Sequence, residues 1–244
     1  MASKRFPGKP LASILGIPMI EHVRRRVVLC PLFSKVIVAT CDREIFDIVC
    51  ASGGQAVMTS NSHERCTDRI AEAAESIDAD IIINIQGDEP LVRPDVFKPL
   101  IEPLINEPEI GCSNLMSEIE TEDEFKNHNV IKTVCDLHGY AIYYSREPIP
   151  SISKTGNLIY KKYKQLGVIA FRKDFLSCFT SLHQTPLEKI ESVDMLRAIE
   201  HGYKIKMVLG NYRSIGVDTP EDLEKAITLM ETDDLFSIYR EELL

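Results

Sequence analysis

Apolar residues along this chain fall into short runs separated by amphipathic stretches, a rhythm of strand and helix. The most apolar run is Ile81-Ile82-Ile83-Asn84-Ile85. It is too short for a helix and does not alternate, so it reads as a strand buried on both faces in the middle of a parallel sheet. Before it, Pro18 to about Leu29 reads as a helix with Ile20, Val23 and Val27 on one face, and Lys35 to Thr40 as a Val/Ile strand. Asp42 then caps a helix that stops at Gly53-Gly54, Ala56 to Thr59 is a strand, and Thr67 caps a helix from Asp68 to Ile77.

After the isoleucine run the alternation continues with a helix from Asp95 to Ile105 and a strand from Gly111 to Met116. The rhythm then changes. Thr121-Glu122-Asp123-Glu124 is a capping box, Val130 to Asp136 and Tyr140 to Ser145 read as antiparallel strands joined across His138-Gly139, and a third strand is expected at Gln165 to Phe171. Pro148 to Asn157 is a Pro/Gly/Ser loop. Leu187 to Glu200 reads as one amphipathic helix whose acidic stripe, Glu188, Glu191 and Asp194, is a solvated face. Lys204 to Leu209 is a strand, and Thr219-Pro220-Glu221-Asp222 opens a last capped helix.

The pattern predicts an α/β fold, Rossmann-like and doubly wound around a mostly parallel sheet. Residues 1–117 and 186–244 would form the nucleotide-binding α/β domain. Residues 118–185 would form a smaller antiparallel insert that leans on the sheet and pairs with a second subunit.

Composition narrows the class. The 244 residues are 44% hydrophobic, with no signal peptide and no run near the ~18 apolar residues of a membrane helix, so a cytoplasmic enzyme is expected. A formal charge of −9 disfavours a nucleic-acid backbone as partner. Seven scattered cysteines without a Cys-x-x-Cys spacing read as reduced core residues.

In an open α/β sheet, ligands sit beyond the carboxyl ends of strands. Gln86-Gly87-Asp88-Glu89-Pro90 follows the isoleucine run directly. Gly87 permits close backbone approach and Asp88 offers hard oxygen ligands to Mg2+; a turn or cap carboxylate is the plainer alternative. The N-terminal Ser3-Lys4-Arg5-Phe6-Pro7-Gly8-Lys9-Pro10-Leu11 combines three cations with a Pro-Gly turn, equipment either for cradling a polyphosphate or for a frayed basic terminus. It is not a P-loop. Asp218, just ahead of the last capping box, is either a plain cap or a second metal ligand beside Asp88.

These motifs, together with Thr67-Asp68-Arg69-Ile70-Ala71-Glu72, Tyr144-Ser145-Arg146-Glu147-Pro148-Ile149-Pro150 and Gly216-Val217-Asp218-Thr219-Pro220-Glu221-Asp222-Leu223, occur in one order along the whole chain. In that order the chain resembles the 3-deoxy-manno-octulosonate (KDO) cytidylyltransferase, or CMP-KDO synthetase, family. The resemblance implies an enzyme of lipopolysaccharide synthesis that joins CMP from CTP to an acidic sugar, releases pyrophosphate, uses Mg2+ and works as a homodimer. It implies that Ser3, Arg5 and Lys9 hold the triphosphate, that Arg69 and Gln86 lie around cytosine and ribose, and that Asp88 and Asp218 ligate Mg2+. Lys9, Asp88 and Asp218 would be the catalytic set. Arg146, Gln165 and Asp194 would meet the sugar, whereas Lys161, Lys162 and Lys164 are better read as solvated charge.

Three departures from the family pattern stand out. No apolar first strand ending in Pro-Ala-Arg stands ahead of Met1 in this sequence, so either the true start lies upstream or the chain is impaired; Glu64-Arg65-Cys66-Thr67 replaces Ser-Gly before the threonine, and Gln165 and Asp194-Met195 stand where His and Glu-Gln are expected. They leave open a cytidylyltransferase for a KDO variant or a sialic-acid-like sugar, and a truncated, inactive nucleotide-binding homologue. A dinucleotide oxidoreductase is disfavoured, since no Gly-x-Gly-x-x-Gly follows a strand.

Overall fold

A computed structural model describes residues 6–151, 153–154, 160–212 and 215–240. In chain order the elements are β1 (Ser13–Ile14), β2 (Ile17–Pro18), α1 (Met19–Val28), β3 (Ile37–Thr40), α2 (Arg43–Ala51), β4 (Gln55–Met58), α3 (Cys66–Ala74), β5 (Ile81–Ile85) and α4 (Phe97–Asn106). There follow β6 (Cys112–Glu118), α5 (Glu122–Lys126), β7 (Lys132–Cys135), β8 (Ala141–Ser145), β9 (Tyr163–Arg172), α6 (Lys173–Ser181), α7 (Pro186–Glu191), α8 (Met195–Glu200), β10 (Ile205–Leu209), α9 (Pro220–Glu231) and α10 (Asp234–Arg240). The class is α/β. No helix among the described residues is long and apolar enough to cross a membrane.

Contacts divide the chain into two units. The first comprises residues 1–75, 85–97 and 213–244, the second residues 76–84 and 98–212. The antiparallel strands of segment 118–185 therefore share a unit with β6 and β10.

In the first unit β3 and β4 pair in parallel, in the register Ile37 to Gln55. Asp42 caps α2 as expected, accepting from the Glu44 amide. Arg65 rather than Thr67 is the N-cap of α3, and Thr67 is buried inside its first turn. A two-residue hairpin between β1 and β2 escapes the pattern analysis; Leu15 and Gly16 both take the left-handed conformation that such a turn needs. Ile14, Met19, Leu91, Val217, Ala226 and Met230 form the core beneath this hairpin, with Phe6 and Phe236 packed against it.

In the second unit the sheet runs β10-β6-β9-β7-β8, with β5 pairing β9. β10 and β6 are parallel, whereas β9 runs antiparallel to both β6 and β7. The isoleucine strand has the predicted bounds but not the predicted place. Its isoleucines are only half-buried, and among the described strands its one pairing is with β9. An apolar run reports the faces of a strand; its edges depend on which other strands come alongside.

The helix predicted across Leu187–Glu200 is two helices. Ser192, left-handed at φ 55°, ends α7, and the Val193 amide closes the turn onto the Glu188 carbonyl at 3.2 Å. The break buries Val193 and leaves Ile190 out in solvent. Nor is the acidic stripe a solvated face. Glu188 is fully buried in a two-bond pair with Arg197, at 2.6 and 2.8 Å.

Candidate active site

Three stretches distant in sequence meet at Lys9. Gly8, left-handed at φ 74°, opens the single helical turn Lys9–Leu11, which carries the Lys9 side chain inward. The turn after β5, closed by the Glu89 amide on the Gln86 carbonyl at 3.2 Å, carries Asp88. The Val217 amide donates to the Asp88 carbonyl at 2.9 Å, which brings Asp218 alongside. Asp218 stands just ahead of α9, whose capping box pairs Thr219 with Asp222.

The Lys9 ammonium donates to Asp88 Oδ2 at 2.7 Å and to Asp218 Oδ1 at 3.1 Å. Burial pulls the Lys9 pKa down, but the charge and hydrogen bonds of the two carboxylates outweigh it, so the amine is held above its ordinary value. The predicted catalytic set is thus brought together, and two carboxylates converge on one cation. Lys9 serves as their internal counter-ion, a role the sequence did not suggest for it. Among the described residues no cluster of three acidic, His or Cys side chains is grouped as a metal site.

The other residues predicted for the nucleotide side lie in the same unit, except that Ser3 and Arg5 fall outside the described residues. Arg69 donates to Thr59 Oγ1 at 2.5 Å and to the Ser60 carbonyl at 3.2 Å, pinning α3 to the segment that leaves β4. Gln86 makes a long contact to the Cys66 sulfur, 3.7 Å.

The residues predicted for the sugar belong to the second unit. Gln165 donates to Asn114 Oδ1 at 2.7 Å, and the Tyr144 hydroxyl reaches the same oxygen at 3.4 Å. Asn114 is buried where the β6/β9 register shifts, and its amide serves the Leu166 and Val168 carbonyls, both at 3.0 Å. A polar side chain inside a sheet thus meets the backbone groups that the irregularity releases. Burial lifts the Tyr144 hydroxyl far above its usual range. Asp194 starts α8; burial, with a smaller push from the Asp194 charge, raises the Cys112 thiol.

Arg146 turns its guanidinium onto backbone carbonyls: Glu191 at 2.7 Å, His128 at 2.9 Å and Ser192 at 3.4 Å. Of the lysines read as solvated, Lys161 is exposed as expected, whereas Lys162 and Lys164 are largely covered and ion-paired. Lys161 meets Glu118 at 2.9 Å, Lys162 pairs with Glu122 over the Phe125 ring, and Lys164 pairs with Glu124. None of the seven cysteines is in a disulfide, but they are not all core residues as predicted: only Cys30 and Cys112 are buried, and Cys41 and Cys50 are exposed. A cavity of about 260 Å3 between Arg172, Phe175, Cys178 and Tyr203 contains none of the predicted residues.

Comparison with known proteins identifies the family. The cytidylyltransferase family profile matches residues 1–205. The chain is 44% identical over 237 residues to the 3-deoxy-manno-octulosonate cytidylyltransferase of Geobacter metallireducens, covering 93% of this chain and 92% of that one. It is 45% identical over 235 residues to the enzyme of the same name from Geotalea uraniireducens, covering 93% and 94%. Among solved structures, a CMP:2-keto-3-deoxy-manno-octonic acid synthetase complexed with CTP superposes with a TM-score of 0.86 at 36% identity over 94% of both chains. The inositol-1-phosphate CTP transferase of T. maritima, 15% identical with a TM-score of 0.67 over 95% of this chain and 91% of its own, shares the fold alone. With a profile match over most of its length and relatives above 40% identity end to end, the chain belongs to the cytidylyltransferase family, among the 3-deoxy-manno-octulosonate cytidylyltransferases.

Proposed function

We propose that this chain transfers CMP from CTP to 3-deoxy-manno-octulosonate. The anomeric hydroxyl of the sugar loses its proton to solvent as its oxygen forms a bond to the α-phosphorus, the bond to the bridging oxygen breaks, and pyrophosphate leaves with that electron pair. The observation that carries the reading is the meeting of Lys9, Asp88 and Asp218 at one point, in a chain of this family. Nucleotidyl transfer needs no covalent nucleophile; it needs positioning and a cationic site for the charge that builds on phosphate oxygens.

Asp88 and Asp218 would hold Mg2+, since two converging hard oxygens fit an ion that takes one or two protein carboxylates and completes its shell with phosphate and water. Bound there, Mg2+ would neutralise phosphate charge. Lys9 keeps the two carboxylates together before the nucleotide arrives, and its ammonium is then the cation available to the triphosphate. Arg69 and Gln86 are assigned to the nucleoside, and Arg146, Gln165 and Asp194 to the sugar side. Lipopolysaccharide synthesis in the cytoplasm, by a homodimer, is the setting this chemistry suggests.

The test is pyrophosphate release from CTP and Mg2+ with a panel of acidic sugars. Turnover should be fastest with 3-deoxy-manno-octulosonate. A preference for a sialic-acid-like sugar would reassign the acceptor, and CTP binding without turnover on any sugar would refute the transfer reaction.

A further inference from the structure

Glu191, nearly eight-tenths of the way along the chain, gathers more of the second unit's polar contacts than any role described so far requires. Its carboxylate accepts from the Ser145 hydroxyl at 2.9 Å, the Tyr143 hydroxyl at 3.2 Å and the Arg146 amide at 2.8 Å. In return the Arg146 side chain donates to the backbone carbonyls of Glu191 and Ser192. The end of β8 and the turn between α7 and α8 are therefore locked in both directions. From the other side, the buried Lys132 ammonium donates to the Arg146 carbonyl and to those of Val130 at 2.8 Å and Asn127 at 2.9 Å. The locked turn runs from Ser192 to Asp194, and it includes a left-handed serine with no glycine to ease it.

A left-handed non-glycine residue persists where its surroundings over-determine it, and here Glu191 and Arg146 supply that restraint. We infer that Glu191 is a positioning residue for the sugar side of the transfer reaction, holding Arg146 and the turn that ends in Asp194. The inference rests on the proposed function for what the turn serves, although the lock itself does not. Glu191 acts here through hydrogen bonds, not through its charge. A glutamine could meet the same three partners, its carbonyl accepting from the Arg146 amide and its NH2 facing hydroxyls that can turn to accept.

That property gives the test. In Glu191→Ala the KM for the sugar should rise about tenfold or more, while the KM for CTP stays within about twofold, because misplacement rather than lost charge is the defect. Glu191→Gln should restore most of the sugar KM. Amide exchange over residues 192–196 should accelerate in the alanine variant and return towards wild type in the glutamine variant. Should Glu191→Ala fail to fold, Ser145→Ala, which removes one donor, should show the same selective rise in smaller measure. A glutamine variant as impaired as alanine would mean that the charge itself is used, and overturn the inference. Equal shifts in both KM values, or unchanged exchange at 192–196, would overturn it too. If wild type transfers CMP to no sugar, the proposed function fails, and the exchange measurement alone decides whether Glu191 holds the turn.

Discussion

The two units keep their polar side chains busy in opposite ways. In the first, the Lys9 ammonium bridges the Asp88 and Asp218 carboxylates, an ion-paired triangle that is still partly open to solvent. In the second, Arg146, Gln165 and Asp194 are woven into the scaffold: guanidinium to backbone carbonyls, amide to Asn114, carboxylate at a helix start. Under the proposed function, the first arrangement would exchange its internal cation for a metal and a triphosphate, and the second would present a fixed shape to the sugar. Charge handling can be left exchangeable, whereas discrimination of a sugar needs groups held to a fraction of an ångström.

The strongest way to break this contrast is Asp88→Asn. It removes a charge from the exchangeable triangle without opening a cavity, so turnover should fall by about a thousandfold or more while the melting temperature barely moves. Unchanged turnover would show that the triangle is only structural. On the woven side, Arg197→Met leaves the buried Glu188 carboxylate without its counter-ion and should cost about 3–5 kcal/mol in urea unfolding. A loss below about 1 kcal/mol would contradict the burial of that pair.

The first unit also has a woven part, which pH can expose. His22 is buried on α1 between the Tyr239 hydroxyl at 2.8 Å and the Ile14 carbonyl at 2.8 Å. Burial, opposed by the Ile14 hydrogen bond and reinforced by the charges of Arg26 and Arg25, lowers its pKa from 6.5 to about 4. The folded imidazole thus stays neutral while the unfolded one takes up a proton. Its contribution is complete above pH 6.5 and is lost as the pH falls towards 4, by about 3 kcal/mol at 1.36 kcal/mol per unit. Wild type should lose that much more stability than His22→Gln between pH 7 and pH 4, in paired denaturant titrations. Parallel pH curves for the two proteins would contradict the buried neutral histidine. The smallest effect is expected from Lys9→Ala, which should raise the KM for CTP about tenfold and leave the sugar KM alone. An effect confined to the sugar would put Lys9 on the wrong side of the comparison.

The same contrast explains what could be seen in the sequence. Asp88 and Asp218 were legible because each follows a local pattern, a strand end or a helix cap, and local patterns are written in adjacent residues. The capping box at Thr219 formed for the same reason, whereas at Thr121 only half of it did: the Thr121 hydroxyl accepts from the Glu124 amide, but the Glu124 carboxylate reaches the Glu120 amide instead. Asn114, Glu188 with Arg197, and Glu191 with Arg146 were not legible. Their partners lie 9 to 54 residues away, and nothing in Ser-Asn-Leu or Glu-Lys-Ile-Glu marks a buried polar group. The acidic stripe on the predicted helix misled because spacing three places residues on one face without telling which face is buried. The break at Ser192 changes which residues point inward. The isoleucine strand shows the complementary limit, bounds correct to the residue and neighbours not inferable from it.

The account depends most on Asp88 and Asp218 acting as one unit in CMP transfer. Pyrophosphate release should be measured for wild type, Asp88→Asn, Asp218→Asn and the double variant, at saturating CTP, 3-deoxy-manno-octulosonate and Mg2+. Residues that share one task are strongly non-additive, so each single change should abolish most of the turnover and the double change should lose little more than the worse single one. Losses that multiply, or one carboxylate that can be neutralised without effect, would contradict it.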